Sequence, residues 1–418
     1  MLALLCLVFW ITIVGANYPS SMLSNLFFSV ENNLRYGLQY INLPNFIVNI
    51  LVDGIYKVVA WVISVMLPPM AIFFPLFTIL EDLGYLPRIA FNMDKMFKKC
   101  NTCGKQALTM CMGFGCNACA ITGCRIIDSP RERIIAILTN NFVPCNGRFP
   151  TLISIISMFF IGGAIGFYNS FLSAIFLIFI ILLGVCMTLI ISNILSKTIL
   201  KGIPSNFTLE LPPYRKPQIL KTIIRSIFDR TLFVLGRAIV VSIPAGIIIW
   251  LMANITVADK TILLYVTDFL NPIGNIMGLD GVILMAFILG FPANEIVFPI
   301  IIMSYLGGNT LMEIDNINQL KELLLLNGWS LNTAICMVIF CIFHWPCSTT
   351  CLTIYKETKS KKWTFLSFII PTLVGATMCI IINLFFKSQL KIFKNSLHPW
   401  RFKLLGDEKH LLSNLKSK

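Results

Sequence analysis

Apolar residues run along this chain in blocks close to 20 residues long, the length a helix needs to cross a bilayer core, with short polar and basic connections between them. The blocks are Leu2 to Ala16, Ile55 to Leu80, Leu152 to Phe167, Phe171 to Leu195, Leu232 to Met252, Val282 to Met303, Leu331 to Ile354 and Trp363 to Phe386. Two further pieces, Ala107 to Ile127 and Ile134 to Val143, are apolar but interrupted. The pattern predicts an all-α, polytopic membrane protein of about eight to ten helices. Leu2 to Ala16 has no basic flank before it and no small-residue cleavage pattern after it, and Asn17, Tyr18 and Pro19 follow directly. It is expected to be a first helix whose upstream neighbour is missing, not a signal peptide.

Composition agrees with that setting. Only 12% of the residues are charged and 57% are apolar, against roughly 25% charged in a soluble domain. The mean hydropathy is +0.82, which excludes an ordinary soluble enzyme. The net charge of +14 is concentrated at Arg88 to Lys105, Arg125 to Arg133, Lys197 to Arg230, Lys356 to Lys362 and the tail from Lys387. The positive-inside bias assigns these connections to the cytoplasm, and the basic-poor stretches Tyr18 to Asp53, Ala253 to Asp280 and Gly307 to Asn327 to the outside. Charge split between helices in this way, never gathered on one face, excludes a nucleic-acid partner. One crossing per block gives the wrong parity near the end of the chain, so at least one broken segment must enter and leave on the same side.

Three elements recur in the same order. VISVMLPPMAIFFPLF at Val62 is echoed by VVSIPAGIIIWL at Val240, MGFGCNA at Met112 by LGFPANE at Leu289, and FVPCNGRFPTL at Phe142 by FHWPCSTTCLT at Phe343. Two related halves, each with a Gly/Pro-broken or re-entrant segment followed by a Pro-Cys break, are the sequence pattern of a transporter with a midplane site between repeats.

The breaks carry the candidate chemistry. A carbonyl freed in hydrocarbon costs several kcal/mol, so Pro144, Pro292 and Pro346 are tolerable only where freed groups meet protein, water or an ion. Beside them stand Cys116, Cys145, Cys347 and Glu295, with Asn117 and Cys119 continuing the first broken segment. An ionisable group such as Glu295 inside a span marks function. Thiolate with carboxylate suits a borderline divalent metal such as Fe(II) better than Mg or Ca. The metal would have to supply the charge that deprotonates the thiols. His344 is either a further ligand or a packing histidine. Among the 14 cysteines, Cys100 and Cys103 with Cys116 and Cys119 form two CxxC pairs. The second lies in an apolar stretch, which disfavours a zinc ribbon, and cytoplasmic thiols are not expected to form disulfides. Cys6, Cys186, Cys336 and Cys379 lie on apolar runs as small hydrophobes.

At these residues the chain resembles ferrous iron transport protein B of bacteria. The resemblance rests on LEDLGYLPRIAFNMDK at Leu80, MGFGCNACA at Met112, DSPRERIIAILTNNFVPCNGRFP at Asp128, LELPPYRKP at Leu209, GFPANEIV at Gly290 and WPCSTTCLTIYKETKSKKW at Trp345. It implies a multi-pass protein of the bacterial cytoplasmic membrane with two gate regions of nucleoside-recognition type and a ferrous iron pathway lined by cysteines. The family's thiols fall on Cys116, Cys145 and Cys347 and its carboxylate on Glu295. The resulting organisation is a first helix and external loop at 1–54, a first gate repeat at 55–196, a cytoplasmic connector at 197–231, a second gate repeat at 232–386 and a basic tail at 387–418. Family members commonly carry Pro where this chain has Cys119, and Lys where it has Asn294. No G-x-x-x-x-G-K-[ST] string occurs in the chain. The family's G domain, with GTP and Mg, would therefore act from elsewhere in cis or in trans. No cofactor and no catalytic residue are expected in this chain, and the bilayer, Fe(II), small accessory iron-transport proteins and a second copy are the partners the resemblance admits. The residues alone also allow an organic-solute transporter of nucleoside type, or a membrane redox or metal enzyme, although the latter lacks histidines for haem and any catalytic dyad.

Overall fold

The first half of the chain winds apolar residues into helices that stack on one another. A computed structural model describes residues 2–161, 167–202, 219–257, 260–307 and 317–415. Helix α1 (Leu2–Tyr40) packs along α3 (Lys57–Asp82), with the short α2 (Asn45–Asn49) and a π-helical turn at Ile50–Tyr56 between them. Most of the loop expected over Tyr18 to Asp53 is thus helix. Its polar residues do not break the helix because they bond to helix carbonyls. Ser21 Oγ donates to Tyr18 O, Ser29 Oγ to Asn25 O, and Ser20 Oγ reaches Ser64 O on α3. Its charges are paired as well, Arg35 lying 2.7 Å from Asp53 and Glu31 lying 3.8 Å from Lys57.

Helices α4 (Tyr85–Lys99), α5 (Lys105–Gly115), α6 (Asn117–Gly123), α7 (Pro130–Thr139), α8 (Phe149–Ile155) and α9 (Phe167–Lys197) complete this half. The expected span Leu152 to Phe167 is described only to Ile161, as the end of α8 and a π-helical turn at Ile156–Phe160; 162–166 lie outside the described residues. The expected extended connector at Leu211, Pro212 and Pro213 also lies outside them.

The second half begins with α10 (Ile219–Ser226) and α11 (Leu232–Asn254), followed by a two-residue antiparallel hairpin, β1 (Thr256–Val257) and β2 (Lys260–Thr261). Then come α12 (Ile262–Met277), α13 (Gly281–Leu289), α14 (Val297–Leu306), α15 (Ile317–Leu326), α16 (Leu331–Phe343), α17 (Ser348–Thr358) and α18 (Lys361–Leu415). Among the described residues five helices are long and apolar enough to span a membrane. They cover Asn45–Leu80, Ile175–Lys197, Leu235–Asn254, Leu331–Thr358 and Lys361–Gln389.

A sixth candidate is the pair α12 and α13, bent by 109°. The expected external connection Ala253 to Asp280 therefore contains a helix, and the expected single run Val282 to Met303 is two helices with a break between them. The bend has local causes. Gly278 ends α12 in the left-handed region at φ 74°, Asp280 Oδ1 caps α13 by accepting the Ile283 N–H at 2.7 Å, and Asn271 Oδ1 accepts the Gly281 N–H at 2.8 Å. The core lies between the halves. Phe142 of the first and Phe343 of the second are fully buried, with ring centroids 5.8 Å apart, and Phe287 meets Phe340 edge to face at 4.9 Å.

Candidate functional site

The two halves break at equivalent places with the same backbone. Between α5 and α6, Cys116 is extended at φ −155°, ψ 125°; between α13 and α14, Ala293 is extended at φ −149°, ψ 119°. Ahead of α8, Cys145 stands at φ −86°, ψ 167°; ahead of α17, Cys347 stands at φ −62°, ψ 160°. Sequence explains each stop. Pro144, Pro292 and Pro346 remove an N–H and push the preceding residue out of the helical region, and Val143 accordingly lies at φ −85°, ψ 121°. At Gly115 a side chain would collide with the Phe73 ring at 2.6 Å, so α3 approaches the break over a bare backbone. Ser348 then ties two breaks of the second half together, its N–H donating to Phe291 O at 2.9 Å and its Oγ to Pro292 O at 3.3 Å.

These breaks bring the expected site residues together. The Glu295 carboxyl, in a 3₁₀ turn at Asn294–Ile296, lies against Gly147 of the 3₁₀ turn that follows Cys145. Cys145 lies within electrostatic range of Arg148, Cys347, Glu295 and Cys116, and Cys347 within range of Cys116 and Glu295. Cys116 and Cys119 hydrogen-bond to each other, and Cys347 Sγ lies 3.2 Å from Thr350 Oγ1. Cys116, Cys119, Cys145, Glu295 and Cys347 are all half-buried, whereas the intervening Asn117, Gly147 and Asn294 are buried. Among the described residues no three His, Cys, Asp or Glu side chains are gathered closely enough to hold a metal ion as they stand.

Around the thiols lies a shell of buried amides. Asn140 Nδ2 donates to Asn117 Oδ1 at 3.3 Å, and a side chain at Gly113 would meet both amides at 3.2 to 3.3 Å. In the other half Asn294 Oδ1 lies 3.3 Å from Nε2 of His344. The Nδ1 atom of that ring faces the carbonyls of Cys341 at 2.9 Å and Phe340 at 3.1 Å, and Phe287 covers the ring at 4.7 Å. His344 is therefore engaged through Nδ1, whose N–H faces the two carbonyls, while the unprotonated Nε2 stands beside the Asn294 amide. The Oδ1 atoms of Asn140 and Asn141 have no partner among the described residues.

Of the asparagines, Asn117 and Asn294 were named from sequence, whereas Asn140, Asn141 and Arg148 were not singled out. The Arg148 guanidinium, fully buried, crosses from the first half to the second. It donates to Ile342 O at 2.6 Å, Asn141 O at 3.3 Å, Trp345 O at 3.4 Å and His344 O at 3.5 Å, leaving Nε unpartnered. It thus satisfies carbonyls freed by the second Pro-Cys break. The available signal was an Arg three residues beyond Pro-Cys at the head of an apolar run.

From the site, α6 and α17 run side by side to a common end. Ile121, Cys124 and Ile354 form part of a small buried cluster there, and Arg125 and Glu357 close it with two bonds of 2.7 and 2.8 Å. Nearby Lys105 and Asp128 pair at 2.6 Å, which holds the Asp128 carboxyl below its ordinary range. Burial, reinforced by the Glu132 carboxyl, pushes the Cys103 thiol up to about 12. Cys100 and Cys103 are both free thiols.

Comparison with known proteins repeats the twofold pattern. A family model described as nucleoside recognition (Gate) matches residues 63–159 and again 235–361, and one described as ferrous iron transport protein B C terminus matches 177–230. A protein named Fe(2+) transporter FeoB from Staphylococcus aureus (strain MSSA476) is 27% identical over 393 residues, 91% of this chain and 56% of that protein. Its namesake from Leptospira interrogans (strain Fiocruz L1-130) is 26% identical over 347 residues, 77% of this chain and 48% of that protein. That from Methanocaldococcus jannaschii is 28% identical over 359 residues, 82% of this chain and 51% of that protein. The chain spans about half the length of the curated relatives it matches. No solved structure matches it. With Gate matches in tandem on the two halves that break alike, and apolar helices long enough to span, the chain is a multi-pass membrane protein of the ferrous iron transport protein B family and corresponds to its gate region.

Proposed function

We propose that this chain carries ferrous iron across the cell membrane between its two halves, past Cys116, Cys145, Cys347 and Glu295. The observation that carries the reading is that helix breaks of both halves bring three thiols and one carboxylate within electrostatic range of one another inside the protein. The relatives' name, Fe(2+) transporter, supports the choice of cargo. Thiolate and carboxylate donors match a borderline divalent cation, and the ion itself favours the deprotonated thiols.

Passage asks for binding strong enough to replace part of the ion's water and weak enough to let it leave. An open set of donors meets that demand better than a closed tetrahedral cage. Cys119, Asn117 and the Oδ1 atom of Asn140 add sulfur and oxygen donors at the first break. His344 stands beside Asn294, and Arg148 fixes the second break so that Cys347 faces the first half. Release towards the basic, cytoplasmic side requires α6 and α17 to part, which breaks the Arg125–Glu357 pair. A G domain, in cis or in trans, drives or gates that movement.

The test is uptake of radioactive ferrous iron by proteoliposomes under reducing conditions, with nucleosides as competitors. Iron uptake unaffected by nucleosides is expected. Nucleoside uptake without iron uptake would replace this reading with an organic-solute transporter.

A further inference from the structure

Helices α13 and α14 have 9 and 10 residues. At roughly 14 and 15 Å each, they reach only halfway through a bilayer core. They meet at the break where Glu295 rests on Gly147, and their far ends come together again, the Tyr305 hydroxyl donating to Asp280 Oδ2. Asp280 closes the basic-poor stretch that begins at Ala253, and Tyr305 stands just before the one that begins at Gly307. The pair is therefore a hairpin that enters from the outside. The first half holds its inverse. Helices α5 and α6 meet at Cys116, and Lys105 and Asp128 join their far ends at the basic, cytoplasmic face.

Each hairpin is also tied to an element outside it. On the cytoplasmic side Arg125 holds Glu357 of α17. On the outer side Trp329, immediately ahead of the Ser330 cap of α16, donates from Nε1 to the Tyr305 hydroxyl at 2.7 Å. The same indole, buried, stacks on Phe159 with ring centroids 5.8 Å apart. Phe159 lies in the π-helical turn that ends α8, so Trp329 stands between the outer hairpin and the outer end of the first half. Helix α14 leads from Glu295 to Tyr305, and α8 with its π-helical turn leads from beside Gly147 to Phe159. Likewise α6 leads from Cys116 towards Arg125, and α17 from Cys347 to Glu357. The two ties close opposite ends of one path.

We propose that the Tyr305–Trp329 hydrogen bond, braced by Asp280, is the latch of an outer gate, and that the hairpin of α13 and α14 leaves Trp329 to admit the ion from outside. Breaking the outer and inner ties in turn gives alternating access to the thiols. The proposal rests on the reading that the ion passes Cys145.

Its test is the labelling of Cys145 in intact cells by an externally added, membrane-impermeant cationic methanethiosulfonate, without iron, read on the Cys145 peptide by mass spectrometry. Labelling of the unaltered chain is expected to be slower than that of an exposed outer thiol, Asn327→Cys. Tyr305→Phe keeps the ring but removes the hydroxyl from both bonds, one of them to a carboxylate, and should raise the rate roughly ten- to a hundredfold. Trp329→Phe keeps a ring beside Phe159 and removes only the indole donor, and should raise it about three- to tenfold. Arg125→Gln, which breaks the inner tie, should not raise it. Unchanged labelling in either aromatic variant at an unaltered thermal midpoint would overturn the proposal. An equal rise in Arg125→Gln would overturn it too, because the effect would then be a general loosening. So would labelling of the unaltered chain as fast as that of Asn327→Cys, because the outer end would already be open. If one aromatic variant does not fold, the other decides. Labelling is read without iron, so its failure leaves the uptake test of the pathway standing, and failure of that test leaves the labelling result in place.

Discussion

The carboxyl group of Glu295 rests against the bare backbone of Gly147, so the Pro-broken segment of one half and the Pro-Cys break of the other share a contact with no room between them. A methyl group at Gly147 would overlap the Glu295 carboxyl, whose Cδ lies 2.6 Å from the position it would take. Gly147→Ala should therefore displace the carboxylate. Iron uptake is expected to fall roughly ten- to a hundredfold, the effect of moving a positioned group by about 1 Å. Glu295→Gln should match that loss at normal membrane expression, and the double variant should be no worse than either alone, because both remove the same contact. Glu295→Leu should also impair folding by stranding its polar neighbours. Wild-type uptake by Gly147→Ala would show that the carboxylate is not on the path.

Arg148 and Arg125 both join the two halves, and their environments set opposite consequences. Arg148 is buried on four carbonyls that have no water to turn to. Arg148→Lys keeps the charge but not the fork of donors, and Arg148→Met removes both. Each is expected to destabilise the fold by about 3 kcal/mol or more, read as a lower thermal midpoint in detergent. Arg125 and Glu357 meet at the surface, the Arg125 side chain being 67% exposed. Arg125→Gln should change stability by less than about 1 kcal/mol.

The same exposed pair reports on movement. Cysteines replacing Arg125 and Glu357, joined by a thiol-specific bifunctional reagent that is cleavable, would tether the ends of α6 and α17. Iron uptake should stop on tethering and return on cleavage. Unchanged uptake across a complete tether would show that these helices need not part.

Cys103 supplies a pH signature outside the spanning helices. Its thiol is raised from an ordinary value of 9.0 to about 12, chiefly by burial. The folded state thus holds the proton more tightly than the unfolded chain does. The contribution to stability is complete below about 9 and is lost as pH rises from there towards about 12. Maleimide labelling of Cys103 in the native protein should stay slow from pH 7 to 9, where an exposed thiol accelerates, and Cys103→Ala should flatten the alkaline loss of stability. Rapid native labelling at neutral pH would contradict this placement.

Legibility in the sequence followed the physics of the backbone. The breaks beside which Cys116, Cys145, Cys347 and Glu295 stand were legible because glycine and proline in apolar runs announce a break locally. The helical fold was legible from the same apolar blocks. The continuation of α1 past Pro19 was not, because Ser20, Ser21 and Ser29 satisfy themselves on carbonyls that only the folded helices present. Helix α12 was hidden behind Asp268, Asn271 and Pro272, which suit a loop equally well; the use of Asn271 appears only when Gly281 folds back onto it. Arg148 was missed for a similar reason. Three of its four carbonyl partners lie 194 to 197 residues later, and no local pattern encodes them.

The central claim is that the three gate thiols conduct the ion. Its most direct measurement is initial ferrous iron uptake by proteoliposomes containing the chain with Cys116, Cys145 and Cys347 all replaced by serine, at matched protein insertion and with the G domain supplied. Serine keeps the volume and polarity of each site but is a poor soft-metal ligand. Uptake is expected to fall by at least roughly tenfold, a loss of about 1.4 kcal/mol in the passage barrier, with insertion and thermal midpoint near those of the unaltered chain. Wild-type uptake by the triple serine variant would contradict the account and leave the thiols without a part in transport.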